Sequence, residues 1–522
     1  MGIFDYAVIA GYFLVVLVIG LRTRKSVHTS DDFFLSGRSL PAWITGLAFM
    51  AANLGSFELM GFAANGAKYG MFTNQLYWLG SVPAMIFASL VMVRVFHRAG
   101  VRSVPEFLRM RFDEKCRGLN AMSFAFLTIF TSGLSLYGLA IVFHALFHWS
   151  LDLCIWISAG TVLFYVMSGG LRASIYTEVL QFGLMVLGIL PLSIMILASF
   201  GGLSSMLTRL PENMGHTWLP VLHPEGTAFG GGLYVIFVGM GIASFAYWST
   251  DFLVIQRALA AKDLDAAQKT PLIAAFPKMF FPVLTVVPGL AALLVIPKQI
   301  EGNYNMVLPL MFLHYYPAGL LGVGITALLA SFMAGMAGNI TAFNTVWTYD
   351  VYQNYIAPGR SDQHYLRMGR VVTVVGTLIS ILTAYSARAF PNVFDYWALL
   401  SAIFVGAPFG TFVLGVFTRR VDGTAAFAGM LTGILTTIGH FALYHYGYLH
   451  YGSDLSMDFY GAGYGFFANV LVAGIFTVLR PRASIALTLQ DEPEKVQPWY
   501  MTPQAWAIFA AVVMIVLNIV YW

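Results

Sequence analysis

The chain has 522 residues, of which 58% are hydrophobic and only 10% are charged, and its mean hydropathy is +0.75. This composition excludes a water-soluble protein of several domains, because apolar runs of about 20 residues recur from end to end. The formal net charge of +4 reflects orientation in a membrane, as argued below, and does not indicate affinity for nucleic acid.

Fourteen apolar segments are each long enough to cross a hydrocarbon core of about 30 Å at about 1.5 Å per helical residue. In chain order they are 5–21, 43–66, 74–97, 119–147, 150–168, 174–200, 230–249, 271–297, 316–350, 367–388, 392–418, 423–445, 458–479 and 503–521. The sequence therefore predicts an all-α integral membrane protein, with one transmembrane domain over residues 1–522.

Lysine and arginine are concentrated in every second loop between these segments. Loops that follow odd-numbered spans, counted with the span ends that border them, hold 23 of the 28 basic residues, and the alternate loops counted in the same way hold four: Lys68, Arg209, Lys298 and Arg388. Because cytoplasmic loops are enriched in Lys and Arg, we assign the odd loops to the cytoplasm and both termini to the outside of the cell membrane.

The sequence lacks the motifs of several common chemistries. There is no GxxxxGK[ST] and no HExxH, so neither an ATP-driven pump nor a zinc protease is indicated. Cys116 and Cys154 fall in a predicted cytoplasmic loop and in a span, which argues against a disulfide or a zinc site. We therefore predict neither an enzyme nor a cofactor, and the sequence leaves the oligomeric state open.

The first part of the chain contains an interrupted span. Residues 51–66 read AANLGSFELMGFAANG, which places Gly55 and Glu58 inside an apolar run and predicts a broken helix that exposes Asn53 and backbone carbonyls. Three interpretations of Glu58 stay open: a contact with solute hydroxyls, an ion pair with Lys278, or a proton path.

A second interrupted span is predicted over 230–249, which is glycine-rich through its middle. The two broken spans start five spans apart, so the second unit begins from the opposite face of the membrane. This pattern predicts a LeuT-like 5+5 inverted-repeat core over roughly 43–418, preceded by one helix (5–21) and followed by three (423–521).

Charged side chains at membrane depth are costly and typically face a cavity that conducts a substrate or an ion. The candidates are Glu58, Glu178, Lys278 and Asp395. Glu178 and Asp395 could instead lie at span ends in contact with headgroup water, and Lys278 could extend toward the interface.

Five motifs in the same order resemble the sodium:solute symporter family, and within it the sodium–glucose cotransporter branch. They are GVRSVPEFLRMRF (100–112), GGLRASIYTEVLQ (169–181), AYWSTDFLVIQRALAAKD (246–263), TYDVY (348–352) and FDYWALL (394–400). The resemblance covers nearly the whole chain. It implies alternating-access symport of a small polar solute, with a hexose-like sugar the best single assignment, driven by a Na⁺ gradient.

The resemblance also implies a set of solute contacts. Asn53 matches the family's solute anchor, Tyr247 its inner gate with Trp248 beside it, and Lys278 and Ser244 further contacts. Three positions differ from the sugar-transporting members: Glu58 and Tyr77 replace other polar residues, and Ala398 replaces a glutamine. Planar rings with amide and ammonium donors suit a polyol.

The ion site implied by the resemblance is incomplete. Carbonyls of Ala51, Leu54 and Ser331 would bind Na⁺, but Ala334 and Gly335 stand where the family has two hydroxyls. We therefore expect weak or absent Na⁺ binding. Glu178, in the TEVLQ motif, is expected at a second ion or proton position.

Two rival functions follow from these departures. Because burial of a carboxyl favours its protonated form, proton coupling through Glu58 or Glu178 is a rival to Na⁺ symport, as is uncoupled transport. A sensor that binds solute without moving it is a further alternative.

Overall fold

The computed structural model describes residues 2–24, 28–147, 149–223, 227–389, 392–481, 485, 487, 489–490 and 497–521. Three of the basic loop residues counted above, Lys25, Arg482 and Lys495, lie outside this described part. Within it the secondary structure is helical, and the one β-type pairing is an isolated bridge between Leu40 and Ala261. The prediction of an all-α protein is confirmed.

We number the principal helices α1 to α18 in chain order and leave the short helical turns of the loops unnumbered. They are α1 (Ile3–Arg24), α2 (Ser30–Leu35), α3 (Ala42–Asn53), α4 (Ser56–Tyr69), α5 (73–99), α6 (Val104–Arg111), α7 (Glu114–Phe147), α8 (Leu151–Phe200), α9 (Tyr234–Thr250), α10 (Phe252–Leu259), α11 (Leu264–Val295), α12 (Val307–Tyr315), α13 (Leu320–Ile356), α14 (Asp362–Ala384), α15 (Val393–Phe417), α16 (Gly423–His445), α17 (Asp454–Leu479) and α18 (Pro503–Val520).

The number of membrane crossings is bounded by length and composition. Among the described residues, eleven helical stretches are long and apolar enough to span a membrane, and the bent pair α9–α10 makes a twelfth. Two shorter apolar helices lie at Ala42–Asn53 and Leu151–Phe164. The total of fourteen spans and the inverted repeat stay predictions.

The first predicted break is confirmed. Helix α3 ends at Asn53 and α4 begins at Ser56, with Leu54 and Gly55 between them in non-helical conformations. Gly55 packs tightly, because a Cβ there would lie 3.3 Å from both the Cα of Gly335 and the Oγ of Ser135. Helices α7 and α13 therefore both touch the break.

The second break is present, but its predicted position was wrong. Helices α9 and α10 meet at a 41° bend at Asp251, beyond the glycine-rich stretch, and the Asp251 side chain caps α10 by accepting a hydrogen bond from the Leu253 amide (2.8 Å). One of these glycines serves packing instead. A Cβ on Gly239 would lie 2.5 Å from the carbonyl oxygen of Phe459, so this glycine lets α17 approach α9.

The helices differ in how much of their surface lies inside the protein. Helix α13 is the most enclosed, with 89% of its apolar window buried, whereas the corresponding value is 28% for α1 and 17% for α18. Helix α13 is therefore at the centre of the bundle, and the helices at the two ends of the chain are peripheral.

Candidate functional site

A buried polar network joins the first broken helix to α11. The Nζ of Lys278 donates hydrogen bonds to Oε1 of Glu58 and to Oδ1 of Asn53, each at 2.6 Å. Glu58 and Lys278 are each only 1% exposed. Pairing offsets the cost of burying both charges. Of the three interpretations of Glu58, the structure contains the ion pair.

Asn53 also connects the two broken helices to each other. Its Nδ2 donates to the Tyr247 hydroxyl at 2.9 Å, so the end of α3 is bonded to α9 as well as to α11. Trp248, next along α9, stacks on Phe49 of α3 with ring centroids 5.6 Å apart. The Lys278 ammonium lies 5.2 Å from the Trp248 ring.

A cavity of about 60 Å³ adjoins this network. That volume is below the range of about 300–1,000 Å³ that is typical of small-molecule sites, so the cavity would have to widen to hold a sugar-sized ligand. Its lining includes six of the predicted solute contacts, namely Asn53, Glu58, Ser244, Tyr247, Trp248 and Lys278. The structure thus brings together, on one cavity, residues from α3, α4, α9 and α11.

Tyr77, the seventh predicted contact, is not among the residues that line this cavity. It is fully buried, and its hydroxyl is hydrogen-bonded to the Thr285 hydroxyl (2.9 Å). The Lys278 ammonium lies 5.0 Å from its ring. Tyr77 therefore packs behind the ion pair, with its ring facing the Lys278 ammonium.

Sequence reasoning missed part of the lining. Trp397 stacks on Phe57 with ring centroids 4.5 Å apart and an interplanar angle of 4°, and both rings line the cavity. Trp397 lies in the FDYWALL motif, which carried the resemblance but gave this ring no role. Asp458 also lines the cavity, although its place at the start of a predicted span marked it only as a span end.

The predicted ion position lies where α13 packs against the first break. The Ser331 hydroxyl donates to the Leu54 carbonyl, which joins two of the three predicted carbonyl contributors. The Ala51 carbonyl accepts a hydrogen bond from the Leu54 amide at 3.0 Å. At Gly335 a Cβ would lie 2.8 Å from the Gly55 Cα and 2.9 Å from the Ser135 Oγ. A side chain at position 335 would therefore displace its neighbours.

Glu178 forms a buried ion pair of its own. Its oxygens accept hydrogen bonds from Nη2 (2.5 Å) and Nε (3.2 Å) of Arg257, and the Ser174 hydroxyl donates to it at 2.6 Å. Both charged side chains are fully buried. A second ion at Glu178 would have to share these partners, and the role predicted for this residue stays a prediction.

Asp395 is also paired. Its Oδ2 accepts a hydrogen bond from the Lys68 ammonium at 3.0 Å, and 26% of the lysine side chain is exposed. This acid therefore does not contact headgroup water alone, as one sequence interpretation allowed, but joins α15 to the end of α4.

Two broken helices that enclose a polar cavity within a bundle of apolar helices define a secondary membrane transporter. The sequence profile described as SSF, the sodium:solute symporter family, matches residues 33–433. The chain therefore belongs to the sodium:solute symporter family and is a transporter, not an enzyme.

Individual relatives agree with this assignment. A sodium/glucose cotransporter of Vibrio parahaemolyticus is 27% identical over 99% of this chain and 97% of its own length. Sodium/myo-inositol cotransporter 2 of Oryctolagus cuniculus is 28% identical over 83% of this chain and 68% of the relative.

Solved structures agree on the fold. A Na⁺-coupled sialic acid symporter superposes with a TM-score of 0.79 at 21% identity, covering 92% of this chain and 99% of the symporter. A nucleobase-cation-symport-1 family transporter gives a TM-score of 0.52 at 12% identity, over 86% of this chain and 95% of that protein. The LeuT-like fold class is confirmed.

Proposed function

We propose that this protein moves a hexose-like solute across the cytoplasmic membrane by alternating access, in symport with Na⁺. The observation that carries the proposal is the cavity at the junction of both broken helices, where the Asn53–Tyr247–Lys278–Glu58 network lies beside flat aromatic rings. A change in the angle between the two broken helices would alter this network directly, because Asn53 is bonded to both α9 and α11.

A polyol fits the chemistry of the lining. The stacked Phe57–Trp397 pair and Trp248 present flat faces for the C–H surfaces of a sugar ring. The amide, ammonium and hydroxyl groups of Asn53, Lys278 and Ser244 offer partners to hydroxyl groups that would otherwise be buried unpaired. The glucose and myo-inositol cotransporters among the relatives support the same solute class.

Sodium coupling finds support from a helix that the sequence did not implicate. The Ser135 hydroxyl of α7 lies beside both Gly55 and Gly335, 3.3 and 2.9 Å from where a Cβ on each would stand, and it has no hydrogen-bond partner among the described residues. Na⁺ is a hard cation that binds oxygen, and a buried hydroxyl without a partner is costly. Ser135 therefore supplies an oxygen beside the position where residues 334 and 335 lack one.

The rival couplings receive less support from the geometry. Glu58 and Glu178 would be the proton carriers, yet each is held in a buried ion pair, with Lys278 and Arg257 respectively. Protonating either acid would leave a buried cation unpaired. Uncoupled transport, and a sensor that binds without moving solute, remain the alternatives that flux measurements address.

Uptake in proteoliposomes tests the proposal. Labelled glucose and galactose are supplied under an inward Na⁺ gradient, an inward proton gradient, or neither. We expect accumulation above equilibrium with the Na⁺ gradient only. Accumulation with the proton gradient would favour coupling through a carboxylate, and equilibration in all three conditions would favour a uniporter. Binding of sugar without flux would favour the sensor.

A variant of Ser135 tests the ion site itself. Ser135→Ala should raise the Na⁺ concentration for half-maximal uptake about tenfold, because one oxygen ligand to a buried charge is lost. Thr128→Ala is the matched control. It lies two turns earlier on the same helix, is equally buried, and its hydroxyl is already bonded to the Phe124 carbonyl. Equal Na⁺ dependence in both variants would exclude Ser135 as a ligand.

A further inference from the structure

A second buried polar cluster surrounds the ion pair of Glu178 and Arg257. Glu178 of α8 and Arg257 of α10 are both fully buried, and neither is among the described residues that line the cavity. The family resemblance predicts a second ion or a proton at Glu178. The contacts of this carboxylate therefore bear on how many ions the transporter carries with each solute.

The guanidinium of Arg257 uses all of its hydrogen-bond donors inside the protein. An arginine has five N–H groups, and Arg257 donates five hydrogen bonds. Nε and Nη2 bond to the two oxygens of Glu178 (3.2 and 2.5 Å), and Nη2 also bonds to the Ser174 hydroxyl (3.4 Å). Nη1 bonds to the Leu253 carbonyl (2.8 Å) and to the side-chain oxygen of Gln256 (3.1 Å). Groups on α8 and α10 thus hold this positive charge in one position.

Both carboxylate oxygens of Glu178 already face donors. Oε1 accepts hydrogen bonds from Arg257 Nη2 and from the Ser174 hydroxyl (2.6 Å), and Oε2 accepts one from Arg257 Nε. The predicted first ion position differs, because the Ser135 hydroxyl beside it has no hydrogen-bond partner among the described residues. A Na⁺ ion at Glu178 would meet a carboxylate whose charge a guanidinium already neutralises.

The guanidinium also fills the space next to α13. A Cβ on Gly338 would lie 3.3 Å from Arg257 Nη2 and 2.7 Å from Leu253 Cδ1. Because residue 338 is a glycine, α13 brings no side-chain oxygen to this point. The same Cβ would lie 3.5 Å from the Cβ of Ala52, which is next to the predicted ion contact Ala51. The charge of Arg257 therefore lies where α10 and α13 meet the first broken helix, and it would repel a second cation there.

We propose that Arg257 is a resident cation: its guanidinium takes the position that a second transported ion would take at Glu178, so each solute is coupled to no more than one external cation. This inference rests on the proposed function, since it sets the ion count of the same symport. Arginine suits the role because its planar fork matches a carboxylate and its charge persists in proteins, so the position stays filled during transport.

Sodium binding to the purified protein measures the ion count without any solute. Equilibrium dialysis with radioactive Na⁺ is done in alkaline buffer, where protons compete least. Wild type and Glu178→Gln should each bind one Na⁺ per chain, because Glu178 binds no external cation. Arg257→Met should bind a second Na⁺, because a buried carboxylate is left without a counter-charge. The double variant Glu178→Gln/Arg257→Met should return to one.

Arg111→Met is the matched control. Arg111 is also buried, at 2% exposure, but its guanidinium donates to the carbonyls of Gly415, Thr418 and Val421. Its loss frees no carboxylate and should add no Na⁺. Arg257→Lys keeps the charge and should keep the count at one. Circular dichroism and size-exclusion chromatography check that each variant is folded, and if Arg257→Met is not, the counts for wild type and Glu178→Gln still decide.

Solute accumulation measures the ion count in the unmodified chain. Proteoliposomes are held at zero membrane potential and given a tenfold inward Na⁺ gradient. One coupled ion should concentrate glucose by no more than about tenfold, whereas two ions would allow about a hundredfold, because each ion supplies the free energy for one factor of ten.

The results separate this inference from the proposed function. If wild type neither transports sugar nor binds Na⁺, but Arg257→Met gains an ion that Glu178→Gln removes, the symport fails while the resident cation stands. Two Na⁺ in wild type with one lost in Glu178→Gln would overturn the inference even if sugar is transported. Accumulation above about tenfold, or a folded Arg257→Met that binds no more Na⁺ than wild type, would overturn it as well.

Discussion

At the residue scale, the candidate site depends on charges that are buried in pairs. Glu58 with Lys278 and Glu178 with Arg257 are both enclosed, with distances of 2.6 and 2.5 Å between their closest charged atoms. Such pairs contribute little net stability compared with apolar packing, but the loss of one partner is costly because it leaves an uncompensated charge. These ion pairs therefore fix the relative positions of their helices, because separating the two partners would leave a buried charge uncompensated.

Glu58→Gln tests this view of the first pair. The variant keeps the shape of the side chain but leaves the Lys278 ammonium without a counter-charge, so we expect a loss of about 3 kcal/mol in stability. Adding Lys278→Met should recover more than half of it. The measurement is thermal unfolding of the purified protein, followed by intrinsic fluorescence.

The control for this prediction is Asp265→Asn. Asp265 pairs with Lys269 at 2.7 Å, where the two side chains are 14% and 13% exposed, so the loss should be about 1 kcal/mol or less. A decrease for Glu58→Gln no larger than that of Asp265→Asn would contradict the burial argument.

At the element scale, glycines decide where helices bend and how closely they approach. Helix α8 runs over 50 residues, but its course changes at Gly170, where φ is 55° and ψ is −145°. A side chain at this position is disfavoured twice: the conformation is one that L-residues rarely adopt, and a Cβ would lie 2.5 Å from the Phe33 carbonyl oxygen. The absence of a side chain at Gly170 thereby allows α2 to pack against α8.

Gly170→Ala should destabilise the protein by about 1–3 kcal/mol from the backbone conformation alone, with the contact to Phe33 adding to this. Gly183→Ala is the matched control, since Gly183 lies on the same helix with nothing within 4 Å of its would-be Cβ. The control should be neutral or slightly stabilising. Thermal unfolding compares the two, and similar values for both would show that α8 is not held by the Gly170 turn.

At the scale of the whole molecule, the fold alone does not determine how the protein is oriented in the membrane. The charge alternation predicts that the loop between α16 and α17 lies outside the cell and that the loop between α13 and α14 lies in the cytoplasm. Tyr448 in the first loop is 75% exposed, and Gln363 at the start of α14 is also exposed. These two positions can therefore report the two sides of the membrane.

Cysteine labelling in intact cells checks the orientation. Tyr448→Cys should react with a membrane-impermeant maleimide, and Gln363→Cys should react only after permeabilisation. The buried Cys116 and Cys154 keep the background of the unmodified chain low. Labelling of Gln363→Cys but not Tyr448→Cys in intact cells would invert the topology and place both termini in the cytoplasm.

The sequence by itself determined the class of protein and predicted much of the candidate site. Apolar runs fix membrane helices, because a spanning segment must bury its backbone polar groups internally, and that requirement is local. The interruption at Gly55 was also predictable from the sequence, since a glycine and a carboxylate within one apolar run are unfavourable in a continuous transmembrane helix. Asn53, Glu58, Tyr247 and Lys278 were named from such local signals and from motifs.

Only the tertiary structure decided which groups face each other. Glu58 had three open interpretations until α4 and α11 were brought within 2.6 Å, and Tyr77 moved from the cavity to the layer behind it. Ser135 carries no sequence signal, because a serine in a helix is ordinary. Its importance comes from an unpaired oxygen beside Gly335, and pairing depends on residues far away in the chain.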